Sequence, residues 1–232
     1  MLKDWNELPE WMRTPEVKEY YDVLAKRKVS LLLKRVFDLV VSIFMLIVTS
    51  PIMVVLAIAI AIDSPGGVFY RQVRVTTYGR EFRIHKFRTM VANSDKIGTQ
   101  VTVGNDARVT KIGAFLRKYR LDEIPQLLDI VTGTMTFVGA RPEVPKYVKQ
   151  YSEEMKATLL LPAGVTSEAS IRFKDEADLL DVSGDADRVY VEKVLPIKMK
   201  YNLDSLKKFS FVAEIGTMFR TVFAVLGKNY SE

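Results

Sequence analysis

The chain has 232 residues, of which 34 are basic and 28 acidic, giving a net charge of +6. It has no cysteine and a single histidine, His85, which excludes disulfides, thiolate catalysis and zinc sites needing cysteine or paired histidines, and leaves any Ser-His-Asp triad dependent on His85. The length fits one domain with an appendage, any metal must be held by oxygen ligands, Mg²⁺ first, and the basic balance points to an anionic partner: nucleic acid, anionic lipid or a phosphorylated substrate.

Residues 1–33 mix polar and apolar side chains, with Trp5, Trp11, Tyr20 and Tyr21 scattered through them. Such rings suit a membrane–water interface; a partly ordered tail is the other reading. A basic collar, "KRKVSLLLKR", precedes the longest apolar run, and "DSPGG" closes that run with turn chemistry. "VFYRQVRV" and "EFRIHKFRTM", joined by "TTYGR", read as two strands of a hairpin. Ile112, Phe115 and Leu116 recur at helical spacing between Lys111 and Arg120. "LDEIPQLLDIVTG" reads as a further helix, with Asp122 as N-cap, Pro125 in the first turn and Gly133 at the stop. The acidic "KDEADLLDVSGDAD" lacks the ligand order of a calcium loop and reads as a solvated helix and turn. A last helix places Phe211, Ile215, Phe219, Val222 and Leu226 on one stripe, to pack on the core or lie on a membrane.

Leu39–Ile62 is 24 residues without a charge, a membrane segment by composition. It is too long, and preceded by too many charges, for a signal peptide. Ser50-Pro51 divides it into 12 and 12 residues, each reaching about 18 Å, short of a hydrocarbon core of about 30 Å. Pro51 has no N–H, so the Ile47 carbonyl loses its helical partner, and Thr49 and Ser50 hydroxyls can cover part of the loss. Local chemistry permits a kinked span or a break. Basic residues on both flanks suit a segment that enters and leaves by one face.

Basic residues crowd the hairpin (Arg71, Arg74, Arg80, Arg83, Lys86, Arg88) and the stretch Arg117, Lys118, Arg120 before Asp122-Glu123, with Arg141 following in "VGARPE". Arginine forks suit phosphate oxygens; Arg80, Arg83 and Lys118 read as solvated positions. Asp122 and Glu123 could supply a nucleophile, a base or Mg²⁺ ligands.

The segments "KRVFDL", Ser50-Pro51, "QVRVTTYGREFRIHKFRTM", "GAFLRKYRLDEIPQLLDIVTGTMTFVGARPE", "LPAGVTSEASI" and "LPIKMKYNLDS", all within residues 34–205, resemble the bacterial sugar transferases of the polyprenyl-phosphate phosphoglycosyl transferase family, small monotopic class. The resemblance implies that Ser50 and Pro51 break a re-entrant helix dipping into one leaflet. It implies that Asp122 is the nucleophile and a metal ligand, that Glu123 is the second acid (base or ligand orienter), and that Lys86, Arg117 and Arg141, with Arg88 behind them, are phosphate-binding cations. The implied reaction moves a phospho-sugar from a UDP-sugar to polyprenyl (undecaprenyl) phosphate with Mg²⁺, through a covalent phospho-sugar on Asp122 and release of UMP.

Departures from the family pattern are Thr134 in Gly133-Thr134-Met135 for a usual aspartate, Ala140 before Arg141 for a usual proline, "GVTS" ending at Ser167 for "GITG", and His85 for a usual tyrosine. His85 reads as a packing or hydrogen-bonding residue.

The expectation is a monotopic membrane enzyme of α+β class, mainly helical with a small β-hairpin or sheet. An interfacial extension (1–33), a re-entrant membrane helix (34–63) and a cytoplasmic catalytic domain with a C-terminal amphipathic helix (64–232) follow in order. It sits on the cytoplasmic face of the bacterial inner membrane, meets lipids, a UDP-sugar and polyprenyl phosphate but no nucleic acid, opens polysaccharide or glycoconjugate assembly, and leaves a homodimer open. A membrane-anchored non-enzymatic scaffold is the alternative; a nucleic-acid-binding protein is a rival that the apolar run disfavours.

Overall fold

The computed structural model describes residues 2–92, 94, 106–172, 186–225 and 227. It is mainly helical with small two-stranded sheets, the class expected. The acidic stretch at 174–187 lies outside the described residues except at its end, as does Leu226.

Helix α1 (Pro15–Ala25) starts on the Thr14 side chain, which accepts from Val17 N, with Pro15 in the first turn. Its buried residues Val17, Tyr20 and Leu24 share one face. They join Leu8 and Met12 in the largest core cluster, with Leu160, Tyr190, Leu195 and Met199. Tyr20 donates to Glu154 at 2.5 Å and is buried, so this aromatic faces the protein core and not an interface. Trp5 and Tyr21 pack edge to face beside it.

Helix α2 (Lys28–Asp63) runs through Ser50-Pro51 as one element. Ser50 Oγ donates to the Ile47 carbonyl at 2.8 Å, replacing the N–H that Pro51 lacks, and Thr49 Oγ1 donates to Met45 at 2.7 Å. It is the one described helix long and apolar enough to cross a membrane. One face is pinned to the body of the protein at both ends. Near its start, Lys34 donates to the Val138 carbonyl (2.7 Å) and pairs with Glu214, Arg35 donates to the Ile130 and Val131 carbonyls, and Asp38 accepts from Thr136. At its end, Asp63 accepts from Ile112 N at 3.1 Å. The opposite face, including Val40, Phe44, Ile47, Val48, Val54, Val55, Ile58 and Ile62, is exposed.

The hairpin forms as expected, in two ladders of one register. Strand β1 (Phe69–Tyr70) pairs with β4 (Lys86–Phe87), and β2 (Val73–Val75) with β3 (Glu81–Arg83). Helix α3 (Lys111–Lys118) begins on Thr110, whose Oγ1 accepts from Gly113 N. Gly113 lets Thr89 come close: a Cβ there would lie 2.0 Å from the Thr89 carbonyl oxygen. The next helix, α4 (Gln126–Thr132), stops at Gly133 as read from sequence, but its N-cap is Pro125 and not Asp122. Asp122 lies one turn earlier, in the 3₁₀ turn Leu121–Glu123, because Arg120 adopts left-handed backbone (φ 56°) and offsets the two helices.

Parallel strands β5 (Met135–Val138) and β6 (Ala163–Thr166) form the inner sheet, with short helix α5 (Pro145–Val148) between them and α6 (Glu168–Arg172) after. Helix α7 (Ala186–Val189) continues through a π-helical turn, Tyr190–Val194, into α8 (Leu195–Lys207). Pro196 lacks the N–H that would close a turn there, and the helix widens just before it. The last helix, α9 (Phe211–Val225), turns Phe211 toward Phe37, Met218 into the second core cluster, and Thr217 and Thr221 inward. On the stripe read to pack on the core or lie on a membrane, Phe219 and Val222 are exposed with Val212 and Phe223, because the inward positions are taken by polar groups bonded to Glu168 and Thr166.

Candidate active site

Four segments converge on the Asp122-Glu123 turn. Strand β4 brings Lys86, α3 brings Arg117, the 3₁₀ turn itself carries both acids, and the loop after β5 brings Arg141. The hairpin register fixes Lys86 opposite Tyr70. Arg141 is aimed by strand β6: Nη1 donates to the Val165 carbonyl at 3.2 Å, and Gly139 N, at the start of its loop, donates to the Thr166 carbonyl.

Glu123 is the locked acid. Its side chain is 11% exposed, accepts from Lys86 Nζ at 2.9 Å and is paired with Arg141. Burial alone would raise its carboxyl, but Arg141 and Lys86 outweigh burial and hold it well below the carboxylate range. Arg141 is raised in turn, first by Glu123. Lys86 is lowered by burial, with Glu123 opposing. A carboxylate so committed stays ionised and is a poor proton acceptor; this arrangement makes Glu123 an anchor for two cations.

Asp122 is the unspent acid. It makes no side-chain hydrogen bond to the described residues. Burial raises its carboxyl above the ordinary value, against the pull of Lys86, and Glu123 adds to the rise while Arg117 and Arg120 oppose it. Arg117 donates from Nε to Thr89 Oγ1 at 2.9 Å, and burial lowers it while Asp122 raises it. An ionisable oxygen held without a partner among cations is chemically suited to attack phosphorus or bind a cation.

Of the residues singled out from sequence, Asp122, Glu123, Lys86, Arg117 and Arg141 are thus brought together. Arg88 is not: its guanidinium donates to the Ser64 and Pro65 carbonyls at 2.5 and 2.9 Å and pins the chain leaving α2. Ser50 and Pro51 lie on α2, apart from this constellation. Arg80, Arg83 and Lys118 are exposed, as read. His85 is a hydrogen-bonding residue: its backbone N and Nδ1 meet the two oxygens of buried Asp129 at 2.9 and 2.7 Å. Thr134 closes the end of α4 by donating to the Asp129 carbonyl. Sequence reading missed three supports of the site. Asp129 holds the residue before Lys86, Arg74 donates to the Pro142 carbonyl (3.0 Å), and Glu143 accepts from Tyr190 (2.5 Å) with Lys198 3.7 Å away. The position of Glu143 two residues after Arg141 and the place of Arg74 in the basic hairpin were the hints to them.

Among the described residues no group of three or more histidine or acidic side chains could hold a metal alone. Asp122 still fits Mg²⁺, which commonly takes one or two carboxylates and completes its shell with substrate phosphates and water. A cavity of about 360 Å³ is lined by Ala140, Ser167, Arg172, Tyr201 and Asn202, and Asp122 does not line it.

The chain is 36% identical over 200 residues to the UDP-glucose:undecaprenyl-phosphate glucose-1-phosphate transferase of Escherichia coli K12, covering 84% of this chain and 40% of that protein. It is 31% identical to the UDP-N-acetylgalactosamine-undecaprenyl-phosphate N-acetylgalactosaminephosphotransferase of Aeromonas hydrophila (84% and 44%) and 32% identical to the undecaprenyl-phosphate galactose phosphotransferase of Salmonella typhimurium (89% and 43%). It therefore spans less than half the length of these relatives. The bacterial sugar transferase profile matches residues 29–228, and the chain belongs to that family.

Proposed function

We propose that this chain is a polyprenyl-phosphate sugar-1-phosphate transferase that uses a UDP-sugar as donor and opens assembly of a surface polysaccharide or glycoconjugate. The reading is carried by one observation: Asp122 is half-buried and makes no hydrogen bond to the described residues, beside Lys86 and Arg117 and next to a Glu123 locked by Lys86 and Arg141. The names of the three relatives, all undecaprenyl-phosphate sugar phosphotransferases, support the same class.

In the proposed course an Asp122 oxygen bonds to the sugar-bearing phosphorus and the bond from that phosphorus to the bridging oxygen breaks, releasing UMP. An oxygen of the lipid phosphate then bonds to the same phosphorus, the bond to Asp122 breaks, and polyprenyl-diphospho-sugar leaves. Lys86, Arg117 and Arg141 offset the charge gathering on the phosphate oxygens in a site where burial strengthens their field. Mg²⁺ held by Asp122 and the donor phosphates would supply further charge neutralisation. Dependence of UMP release on a UDP-sugar, Mg²⁺ and polyprenyl phosphate tests the class. Release that is insensitive to Asp122→Asn overturns the mechanism, and no release with any UDP-sugar favours the scaffold alternative.

The same reading places the apolar segment of α2 in one leaflet, on the cytoplasmic face. Both ends of α2 are bonded to one folded body, Lys34 and Asp38 to β5 and Asp63 to α3. A segment crossing the bilayer would carry part of that same body, with its charged and hydrogen-bonded groups, across about 30 Å of hydrocarbon. Its exposed apolar face is the kind of surface that lipid covers. Single cysteines in place of Ser30 and Gly67 should label from the same side. Gly67 is the better site than Gly66, whose φ of +122° and closeness to Arg88 make a side chain strained. Labelling from opposite sides overturns this topology.

A further inference from the structure

Helix α3 carries an aromatic pair that the folded domain leaves unused. Phe115 and Tyr119 are 48% and 52% exposed, with ring centroids 4.9 Å apart. Lys118 Nζ lies 5.5 Å from the Tyr119 ring centre, and exposed Arg120 follows in the left-handed backbone that opens the Asp122 turn. The other face of α3 belongs to the membrane segment: Leu116 is fully buried with Leu56 and Ile60 of α2, and Ile112 packs against them. The helix start is tied to Asp63, beside the 82% exposed Ile62. One short helix therefore joins the end of the apolar run to the acid of the site.

Exposed aromatics are ordinary when scattered singly. A close, tilted pair of exposed rings on a helix packed against the apolar run, with two cations at its end, is complementary to a long apolar chain ending in a phosphate. We propose that Phe115 and Tyr119 dock the isoprenoid chain of the polyprenyl phosphate and that Lys118 and Arg120 draw its phosphate toward Asp122. This rests on the transferase reading and deepens it by assigning the acceptor's approach to α3. A nucleobase stacked on the same rings is the competing occupant.

The test places benzoylphenylalanine at Phe115 in the full chain, in phospholipid vesicles containing radiolabelled undecaprenyl phosphate. Light should attach the labelled lipid, and unlabelled undecaprenyl phosphate should compete while UDP does not. Attachment to bulk phospholipid alone, or to a UDP-sugar, overturns the proposal. In kinetics, the F115A/Y119A double variant should raise the apparent KM for polyprenyl phosphate about tenfold or more without raising that for the UDP-sugar; an unchanged acceptor KM overturns it. A chain that is labelled competitively yet releases no UMP with any UDP-sugar upholds the docking surface and overturns the transferase reading.

Discussion

Two carboxylates near Arg141 stand in different states, Glu143 buried and Asp122 half-buried. Glu143 accepts from Tyr190, Lys198 bonds that same phenol at 3.0 Å, and all three side chains are buried in the helical core. Asp122 sits among Lys86, Arg117 and Arg120 and makes no hydrogen bond to the described residues. The first network bonds buried groups to one another and fixes a shape; the second leaves an acceptor open. Buried charge answered in full stabilises, and buried charge answered only by long-range fields raises a carboxyl and keeps it available. Glu123 sits between the two regimes, spending its oxygens to hold cations for its neighbour.

Asp122→Asn should break this contrast most severely. UMP release should fall about a thousandfold or more, since the nucleophile is lost. Thermal unfolding should move the other way. The folded chain holds the Asp122 proton more tightly than the unfolded chain, so the ionised group costs stability above the ordinary aspartate range and nothing where both states are protonated. The variant should melt at or above the parent at neutral pH, with the gap closing in acid; a fixed gap at all pH values shows that ionisation is not its cause. For the parent, UMP release should decline on the acid side at a pH above the ordinary aspartate range.

Arg141→Met should come next, because it strips Glu123 of one of its two cations while the carboxylate stays buried. A loss of about 3 kcal/mol in urea unfolding is expected, with partial recovery on adding Glu123→Gln. Absence of that recovery would place the loss outside the pair. Tyr190→Phe should cost about 1–2 kcal/mol yet leave UMP release per folded molecule intact, since the phenol bonds Glu143 and Lys198 and not the Asp122-Glu123 turn. Arg88→Lys should do least: it gives up the fork to Ser64 and Pro65, costs about 1 kcal/mol and leaves the apparent KM for the UDP-sugar unchanged. A raised KM would return Arg88 to the phosphate site.

Much of the site was legible in sequence because its residues sit in compact motifs. Asp122 and Glu123 are adjacent, Arg117 is one helical turn away, and Lys86 and Arg141 lie in recognisable strand-ending segments. Arg88 could not be placed from sequence because a basic residue beside a strand looks the same whether it faces phosphate or two backbone carbonyls. Tyr20 misled because an aromatic suits an interface and a core equally, and only its partner Glu154, 134 positions away, decides. The stripe on α9 left its cover open because apolar spacing defines a face without saying whether protein or lipid covers it.

The sequence by itself determined the local chemistry: an apolar run interrupted at Ser50-Pro51, a basic hairpin, a left-flanking arginine and an acidic pair, each set by side-chain type and near-neighbour geometry. The tertiary structure alone decided which charges are spent. Lys86 and Arg141 meet Glu123 across 37 and 18 residues, Lys34 meets Glu214 across 180, and Asp122 is left open between them. Burial and pairing over such separations are products of packing, and they, more than residue identity, set whether a carboxylate anchors or reacts.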